Sequence, residues 1–231
     1  MVLSDNNQKI KDLIKLNMPK YRKELQMFIV EGAHLVKEAK LANVLIEAFS
    51  IEEREGYTQI SESAMKHICH TDTIVTEIGL CKMIDKKDLS NKLLILDAIQ
   101  DPGNLGSLMR SAKAFGFNTI ILGEGTCDIY NDKVIRASQG AIFKLNFIKA
   151  KLNEFIPTLT DYLVYGTNVR KGISVKDCIK NKKIALVLGN EGNGISDSTD
   201  KVIEKNIYIP LENTESLNVT VAGSILMYEL K

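Results

Sequence analysis

Four almost continuous apolar segments constrain the fold of this 231-residue chain more than any other feature. They lie at residues 93–96, 119–122, 163–165 and 184–188, and in none of them do apolar and polar residues alternate. Strands without alternation are typical of a sheet that is covered on both faces, and such sheets are usually parallel. Because helical stretches separate some of these segments, the sequence predicts an α/β fold with a mainly parallel sheet and helices on both faces.

The first part of the chain has shorter elements and a different pattern. The predicted elements are strands at 27–30 and 44–49, a helix with Leu35, Val36 and Ala39 on one face, and a short helix that begins at Ser61. The polar and charged stretch at 82–91 is typical of a linker. We therefore predict two domains, residues 1–85 and residues 92–231.

Two helix starts are predicted from capping patterns. Asp5 and Gln8 have the spacing of a capping pair before the first helix, and Pro19 would end that helix. Asn104 stands where the N-cap of a later helix belongs, and Arg110 lies inside that helix.

The composition excludes several classes of protein. With 45% hydrophobic and 26% charged residues, the chain resembles a globular protein rather than a disordered or fibrous one. No run approaches about eighteen apolar residues and the first residues turn polar at once, so we predict neither a membrane span nor a secretory signal. The four cysteines form no C-x-x-C pair, which favours reduced thiols and a cytoplasmic location.

The charged and metal-binding residues identify no partner by themselves. Lys and Arg number 30 against 29 Asp and Glu, which leaves a net charge of +1. The one local cluster of metal-binding residue types, His67, Cys69 and His70, has no second cluster to complete a site, so no metal is predicted. A basic cluster near the start is either a solvated helix face, the simpler interpretation, or a phosphate-contacting surface; it comprises Lys9, Lys11, Lys15, Lys20, Arg22 and Lys23.

Three loops near predicted strand ends carry residues that could bind a ligand or take part in catalysis. Asn104 and Arg110 follow one strand, a glycine-rich loop at 189–196 with the carboxylate Glu191 follows another, and a polar loop at 212–215 precedes the last apolar stretch. The glycine-rich loop has neither the Gly-Lys-Ser/Thr of a P-loop nor G-x-G-x-x-G spacing. Loops at the carboxyl ends of strands meet in one crevice of an α/β sheet. With no lysine to hold phosphates, this crevice suits a neutral or zwitterionic nucleotide-like ligand, whose identity the residues leave open.

The stretch after the third loop is ambiguous. Residues 217–221 alternate as in a strand, whereas the small residues at 222–224 suit a closely packed helix. The local pattern leaves strand and helix open.

Together these loops resemble the SpoU (TrmH-like) family of RNA ribose methyltransferases in the SPOUT superfamily. The matching segments, in order, are DPGNLGSLMRSAKAFGF, RASQGAIFKL, LVLGNEGNGIS and IPLENTESLNVTVAGSILMYE. They cover about residues 93–231, and their order and spacing make a chance match improbable. Near the start, KYRKELQMFIVEGAHLVKEA resembles the family's N-terminal substrate-binding domain more weakly.

The resemblance implies a small N-terminal ribosomal-protein-like α/β RNA-binding domain, followed by a SPOUT α/β domain with a parallel sheet and a C-terminal trefoil knot. It implies that Leu217 onward enters a helix. It also implies a homodimer formed through the knot and the final helix. The apolar residues Ile225, Leu226, Met227 and Tyr228 would serve that interface, or would pack inside one subunit.

The resemblance further implies S-adenosyl-L-methionine as cofactor. The implied cofactor residues are Gly189, Ile209 and Leu217, mostly through main-chain groups, Leu188 and Leu211 around the adenine, and Thr167. The implied catalytic residues are Asn104, Arg110, Glu191, Ser216 and Asn218. The loop at 212–215 departs from the family, because it lacks a glycine that is common in relatives and is one residue short.

The implied reaction is attack of a ribose 2′-oxygen on the sulfonium methyl group, without a metal or a covalent enzyme intermediate. Arg110 would act either as the base or as a clamp on the RNA phosphate, and both roles remain open. Large-subunit ribosomal RNA is the expected substrate, since tRNA-acting relatives typically lack the N-terminal domain. The alternatives are a tRNA substrate, a non-catalytic RNA-binding module, and a small-molecule nucleotide enzyme.

Overall fold

The computed structural model describes residues 2–71, 75–84, 88–168, 172–180 and 183–231. The chain forms two compact units, one of Met1–Ile84 with Tyr130–Phe143 and one of Asp85–Ile129 with Lys144–Lys231. Residue 85, the predicted end of the first domain, lies outside the described residues, as does part of the predicted linker.

The elements are numbered in chain order. The helices are α1 (Gln8–Lys15), α2 (Pro19–Leu25), α3 (Ala33–Leu41), α4 (Glu62–Ile68), α5 (Pro102–Phe115), α6 (Asp132–Ser138), α7 (Leu152–Phe155), α8 (Asp197–Asp200) and α9 (Val219–Glu229). The strands are β1 (Met27–Glu31), β2 (Leu45–Ser50), β3 (Thr58–Gln59), β4 (Glu77–Lys82), β5 (Lys92–Leu96), β6 (Thr119–Leu122), β7 (Asn146–Lys149), β8 (Tyr162–Thr167), β9 (Ile173–Ser174), β10 (Lys183–Leu188) and β11 (Lys205–Tyr208). Short 3₁₀ helices span Ala141–Lys144, Ile156–Thr158 and Val175–Asp177.

The first unit contains a sheet in the order β1-β4-β2-β3. Strand β4 is antiparallel to both of its neighbours, and β2 pairs with β3 in parallel. Helices α1 and α4 share one apolar cluster with the sheet, formed by Ile10, Leu13, Leu16, Phe49, Ile60, Ala64, Met65, Ile68 and Ile78. The predicted strands at 27–30 and 44–49 are confirmed, as is the predicted helix start at Ser61, whose side chain accepts a hydrogen bond from the Ala64 N–H.

A segment from the middle of the chain completes this unit. Residues 130–143 fall within the predicted range of the second domain, and they pack in the first compact unit. The fully buried ring of Phe28 lies 4.6 Å from the ring of Tyr130 and 6.4 Å from that of Phe143, measured between centroids. Arg136 of α6 also approaches Glu31 of β1 at 3.6 Å. This segment therefore covers the apolar side of β1.

The second unit contains a seven-stranded sheet in the order β7-β6-β5-β10-β8-β11-β9. All of its strand pairs are parallel. The four apolar segments of the sequence lie within β5, β6, β8 and β10, and β5, β6 and β10 are almost completely buried. The predicted parallel sheet is therefore confirmed.

Helices cover both faces of this sheet. On one face Leu93, Ile95 and Ile121 share a cluster with Leu152 of α7 and with Ile203, which follows α8. On the other face α9 packs against α5 and β10. Gly223 makes this second contact possible, because an added Cβ would stand 2.6 Å from Leu188 Cδ1 and 2.7 Å from Leu108 Cδ2.

Both predicted capping residues are wrong by a few positions. Helix α1 is capped by Asn7, whose side chain accepts from the Lys9 N–H, while Asp5 lies 3.0 Å from His67 Nδ1 instead. Helix α5 is capped by Asp101, whose carboxylate accepts from the Asn104 N–H at 2.7 Å. The Asp-Pro pair explains the second shift, because proline suits the first helical position and moves the cap to the preceding residue.

One further expectation about helices is corrected, and another is confirmed. Helix α1 already ends at Lys15, and Pro19 opens α2 at its first position. The local pattern at 217–221 left strand and helix open, and the helix that the resemblance implies is confirmed: α9 begins at Val219, with Asn218 as its N-cap. The β-branched residues enter a helix there because Asn218 caps it and its small Gly223 fits against the sheet, so tertiary packing overrides local propensity.

Candidate active site

A cavity of about 500 Å³ opens at the carboxyl ends of the central strands of the second unit. Thr167 at the end of β8, Leu188 at the end of β10 and Tyr208 at the end of β11 all lie in its wall. The rest of the wall comes from the loops that follow these strands and from the first turns of α9, including Val219 and Ala222. The cavity therefore lies where the sequence predicted a ligand crevice.

The wall of this cavity contains all six predicted cofactor residues, Thr167, Leu188, Gly189, Ile209, Leu211 and Leu217. Two of the predicted catalytic residues, Glu191 and Ser216, also line it. Asn104, Arg110 and Asn218 lie outside its wall. The fold thus brings together residues from three separated stretches of sequence, and their roles stay predictions.

The loop at 189–196 is closed by its own backbone and by one side chain. Asn190 and Gly194 exchange two backbone hydrogen bonds of 2.9 Å. Asn190 Oδ1 also accepts from the N–H groups of Gly192 at 2.9 Å and Asn193 at 3.2 Å. A Cβ on Gly189 would collide with the backbone of Gly194 and Ile195, so only glycine fits where the loop leaves β10.

Three predicted catalytic residues meet through the Asn104 side chain. Asn104 Nδ2 donates to Glu191 Oε1 at 3.0 Å. Asn104 Oδ1 accepts from Asn218 Nδ2 at 3.3 Å and from Thr220 Oγ1 at 2.9 Å. We call Asn104, Glu191, Asn218 and Thr220 the polar cluster. It connects the first turn of α5, the glycine-rich loop and the start of α9, so the amide orientation of Asn104 is fixed by its neighbours.

Arg110 stands apart from these contacts. It lies on α5, its side chain is exposed, and within the described part of the chain it forms no ion pair or hydrogen bond. Arg110 is not among the three side-chain partners that hold the Asn104 amide. Arg110 is therefore available to bind a ligand from solution.

The charged residues in the cavity wall all carry negative charge. The wall contains Glu191, Asp197, Asp200 and Glu215, and no Lys or Arg occurs among the described residues that line it. Apolar side chains such as Ile195, Ile207 and Leu226 supply the remaining surface. Such a wall favours a ligand with cationic groups and an apolar face, and it opposes the binding of a triphosphate.

The departure in the third loop has a structural counterpart. Asn213 adopts a positive φ of 60° in the loop that lacks the family's glycine. Asparagine tolerates this left-handed conformation better than most residues, so it can supply the turn. Thr214 Oγ1 then donates to the Ser216 carbonyl at 3.2 Å, and the Asn218 side chain accepts from the Thr220 N–H at 2.8 Å. The path into α9 is thus hydrogen-bonded without the glycine.

The sequence analysis missed Thr220 and Asn190. Asn190 could have been found, because an Asn before x-Gly commonly bonds to the backbone two residues on. Thr220 carries no such signal, since its hydroxyl meets Asn104 only through the packing of α9 on α5. The four apolar residues expected at a dimer interface differ in exposure. Leu226 and Met227 are buried within the unit, whereas Ile225 and Tyr228 are exposed.

Cysteines and metal-binding groups take no visible part in this site. None of the four cysteines forms a disulfide, and burial raises the pKa of Cys69 and of Cys81 to about 12, which keeps both thiols protonated. Among the described residues, no group of three or more His, Cys, Asp or Glu could hold a metal ion. The same described part of the chain contains no helix long and apolar enough to cross a membrane.

Comparisons with known proteins agree with this architecture. Residues 91–228 match the SpoU rRNA Methylase family, and residues 7–79 match an MRM3-like substrate binding domain. The chain is 34% identical to the 23S rRNA (guanosine(2553)-2′-O)-methyltransferase RlmP of Bacillus subtilis strain 168, over 99% of this chain and 98% of the relative. It is 31% identical to the 23S rRNA (guanosine-2′-O-)-methyltransferase RlmB of Coxiella burnetii, over 85% of this chain and 80% of the relative.

Solved structures show the same fold. A TrmH-family protein from Porphyromonas gingivalis superposes with a TM-score of 0.87 at 29% identity, and covers 100% of this chain and 99% of its own. An RNA 2′-O ribose methyltransferase superposes with a TM-score of 0.82 at 25% identity, over 100% of this chain and 98% of its own. The predicted α/β fold with an N-terminal substrate-binding domain is confirmed, and the chain belongs to the SpoU rRNA methylase family.

Proposed function

We propose that this protein transfers a methyl group from S-adenosyl-L-methionine to a ribose 2′-hydroxyl of large-subunit ribosomal RNA. Membership of the SpoU family supports the reaction, and the two relatives described above are named for 2′-O-methylation of 23S rRNA. The observation that carries the proposal for this chain is the polar cluster, which joins the cavity wall at Glu191 to Asn104 and Asn218.

The cavity fits the cofactor in size, shape and charge. Its volume of about 500 Å³ falls within the range of small-molecule sites. Leu188, Leu211 and Leu217 supply apolar surface for the adenine, and the four carboxylates of the wall suit a sulfonium and an ammonium group. The absence of Lys and Arg among the described wall residues separates this site from a nucleoside-triphosphate site.

Each residue of the site has an assigned task. Bound S-adenosylmethionine supplies an electrophilic methyl group on a positively charged sulfur. Asn104 and Asn218 fix the edge of the cavity where the ribose must approach, and close alignment of the reacting groups contributes up to about 7–11 kcal/mol to such reactions. Ser216, in the wall beside Leu217, holds the cofactor side of the same edge.

We assign Arg110 to the phosphate next to the target ribose. A guanidinium has five donors and no acceptor, and it binds phosphate in a bidentate way. The exposure of Arg110 favours this clamp over the alternative role as base, which would require removal from water. The proton of the 2′-hydroxyl then needs another acceptor, and the Glu191 carboxylate is the group of the polar cluster with lone pairs to spare.

The proposal is tested by incubating the protein with fragments of large-subunit ribosomal RNA and methyl-labelled cofactor, and by mapping the labelled ribose. We expect label at one 2′-oxygen, and loss of at least about 100-fold in kcat/KM for Arg110→Ala, because the clamp is removed. Near-normal turnover by both Arg110→Ala and Arg110→Lys would reject either role for Arg110. If calorimetry detected no binding of the cofactor, the alternative of a non-catalytic RNA-binding module would be favoured. If the label appeared in tRNA instead, the substrate would be tRNA rather than ribosomal RNA.

We also propose a homodimer formed through α9. Val221, Ile225 and Tyr228 are exposed and recur at the spacing of one helix face, while Leu226 and Met227 pack inside the unit. An exposed apolar face of this kind is typical of an interaction surface. Light scattering after size exclusion should give twice the chain mass, and Ile225→Lys should give the monomer; a wild-type monomer at micromolar concentration would reject the dimer.

Three further expectations remain part of the proposal. They are the domain bounds at residues 1–85 and 92–231, the C-terminal trefoil knot and a cytoplasmic location. The two family-model matches, at 7–79 and 91–228, support the bounds. Family membership supports the knot, and a ribosomal RNA substrate would place the protein with ribosomes in the cytoplasm.

A further inference from the structure

Both ends of the glycine-rich loop are attached to the two residues that follow β5. At its start, Asn190 Nδ2 donates to the Ala98 carbonyl at 2.9 Å. At its end, Ser196 donates to Asp97 Oδ2 twice, from its N–H and from its hydroxyl, each at 2.8 Å. Between these two attachments lie Glu191 and the part of the cavity wall that the loop forms.

Asp97 is a buried carboxylate, which is unusual for an aspartate. Its side chain is 6% exposed, and it comes directly after β5, where its own N–H donates to the Leu188 carbonyl at 2.9 Å. A buried carboxylate is costly unless strong hydrogen bonds replace its water, and donors on Ser196 provide them. The hydrogen bonds from Ser196, 99 positions later in the chain, therefore stabilise the buried Asp97 carboxylate.

Helix capping does not explain the position of Ser196. Ser196 is the N-cap of α8, and a serine there commonly accepts a hydrogen bond from the first turn. No such side-chain cap bond forms; the hydroxyl lies 2.8 Å from Asp97 Oδ2 and 3.0 Å from Thr199 Oγ1, and the carboxylate is the stronger acceptor for its single proton. The neighbouring Ala98 has a φ of +57°, an uncommon conformation for a residue with a Cβ, and it presents its carbonyl to Asn190. Strained residues of this kind persist where the surrounding structure requires them, often at functional sites.

We propose that Asp97 is a positioning residue: by holding Ser196 it fixes the loop at 189–196, and thereby keeps the cofactor wall and the Glu191 carboxylate in place. This inference rests on the proposed function. Asp97 touches neither cofactor nor substrate in this role, because it acts through Ser196. A loop held in this way has less conformational freedom to lose when the cofactor binds.

The test compares four variants by calorimetry with S-adenosylmethionine and by single-turnover methylation. Asp97→Ala should raise the Kd for the cofactor about tenfold, equivalent to 1.4 kcal/mol, and should lower the methylation rate by a similar factor. Asp97→Asn should stay within about threefold of wild type, because its amide oxygen can still accept both hydrogen bonds. Ser196→Ala should lie between them, since the backbone N–H bond remains. The control is Asp161→Asn, a carboxylate at the opposite end of β10 that pairs with Lys183 in solvent.

Calorimetry separates a positioning role from a merely structural one. Positioning predicts a weaker Kd at an unchanged number of sites per chain, with the KM for RNA within about twofold of wild type. Fewer sites at an unchanged Kd would mean partial unfolding, and would overturn the inference. So would an Asp97→Asn variant as weak as Asp97→Ala, because charge rather than hydrogen bonding would then be the cause.

Two outcomes keep the inference separate from the proposed function. If wild type itself bound no cofactor, the proposed function would fail first. If Asp97→Ala does not fold, Ser196→Ala decides: a Kd equal to that of wild type refutes the positioning role.

Discussion

Replacing Asn104 with Asp should do more damage than replacing it with Ala, although Asp is closer in shape. The Asn104 amide donates to Glu191 at 3.0 Å, and either substitution removes this hydrogen bond to a charged group, at a cost of about 1.5 kcal/mol or more. The Asp variant also places a second negative charge at about that distance. Two like charges 3.0 Å apart repel by about 1.4 kcal/mol in water and by about 5 kcal/mol at an effective dielectric constant of 20.

These magnitudes give a ranking of activities. With about 1.4 kcal/mol per factor of ten, Asn104→Ala should lose about tenfold in single-turnover rate and Asn104→Asp at least about 100-fold at pH 8.

The assay is single-turnover methylation of an rRNA fragment at saturating cofactor and pH 8. Asn146→Asp serves as the control, since Asn146 is half-buried on β7 and its side-chain amide donates to the Asp88 carbonyl, away from the cavity. The melting temperature of Asn104→Asp should lie below that of Asn104→Ala, because the same repulsion acts within the folded protein, and the assay is run below both melting temperatures. If Asn104→Asp were more active than Asn104→Ala at pH 8, the reasoning about Glu191 would be refuted.

Three other predictions concern the cavity, the polar cluster and the thiols. Gly189→Ala should weaken cofactor binding at least about tenfold in calorimetry, because the added Cβ would meet backbone atoms. The control Gly192→Ala should weaken binding far less, since its Cβ would stand 3.6 Å from Asn190 Oδ1. Equal losses of affinity in the two variants would contradict the steric argument. Thr220→Val should lower the methylation rate about fivefold with little change in cofactor Kd, because it removes the hydroxyl bonded to Asn104. Thr220→Ser keeps a hydroxyl and should retain the wild-type rate. A Thr220→Ser variant as slow as Thr220→Val would refute the hydrogen-bond explanation. Cys69 and Cys81 should react slowly with a thiol reagent at pH 8, since burial raises the pKa of each to about 12 and the protonated, unreactive form persists below that value. Unfolding in guanidinium should accelerate the labelling of both thiols. Fast labelling of these two thiols in the native protein would contradict the prediction.

Part of the site could be predicted because its residues sit next to strong strand signals. The apolar segment at 184–188 predicts β10, so the local pattern alone places Gly189 and Glu191 just after the end of a strand. The same holds for Asn104 and Arg110 after β5. The residues of the third loop were found by resemblance instead, because alternation at 217–221 favours a strand and only the contact of α9 with α5 makes it a helix.

What the sequence by itself determined is the four apolar strands of the large sheet with their burial, two strands of the first unit, and the order of the polar loops, since these follow from local hydrophobic patterns. Tertiary structure alone decided that Asp97 reaches Ser196, that Thr220 meets Asn104, and that residues 130–143 cover Phe28. Each of these contacts joins residues roughly 90 to 120 positions apart. No local pattern encodes such a pairing, because it depends on which strands become neighbours in the sheet and on how closely the helices pack against them.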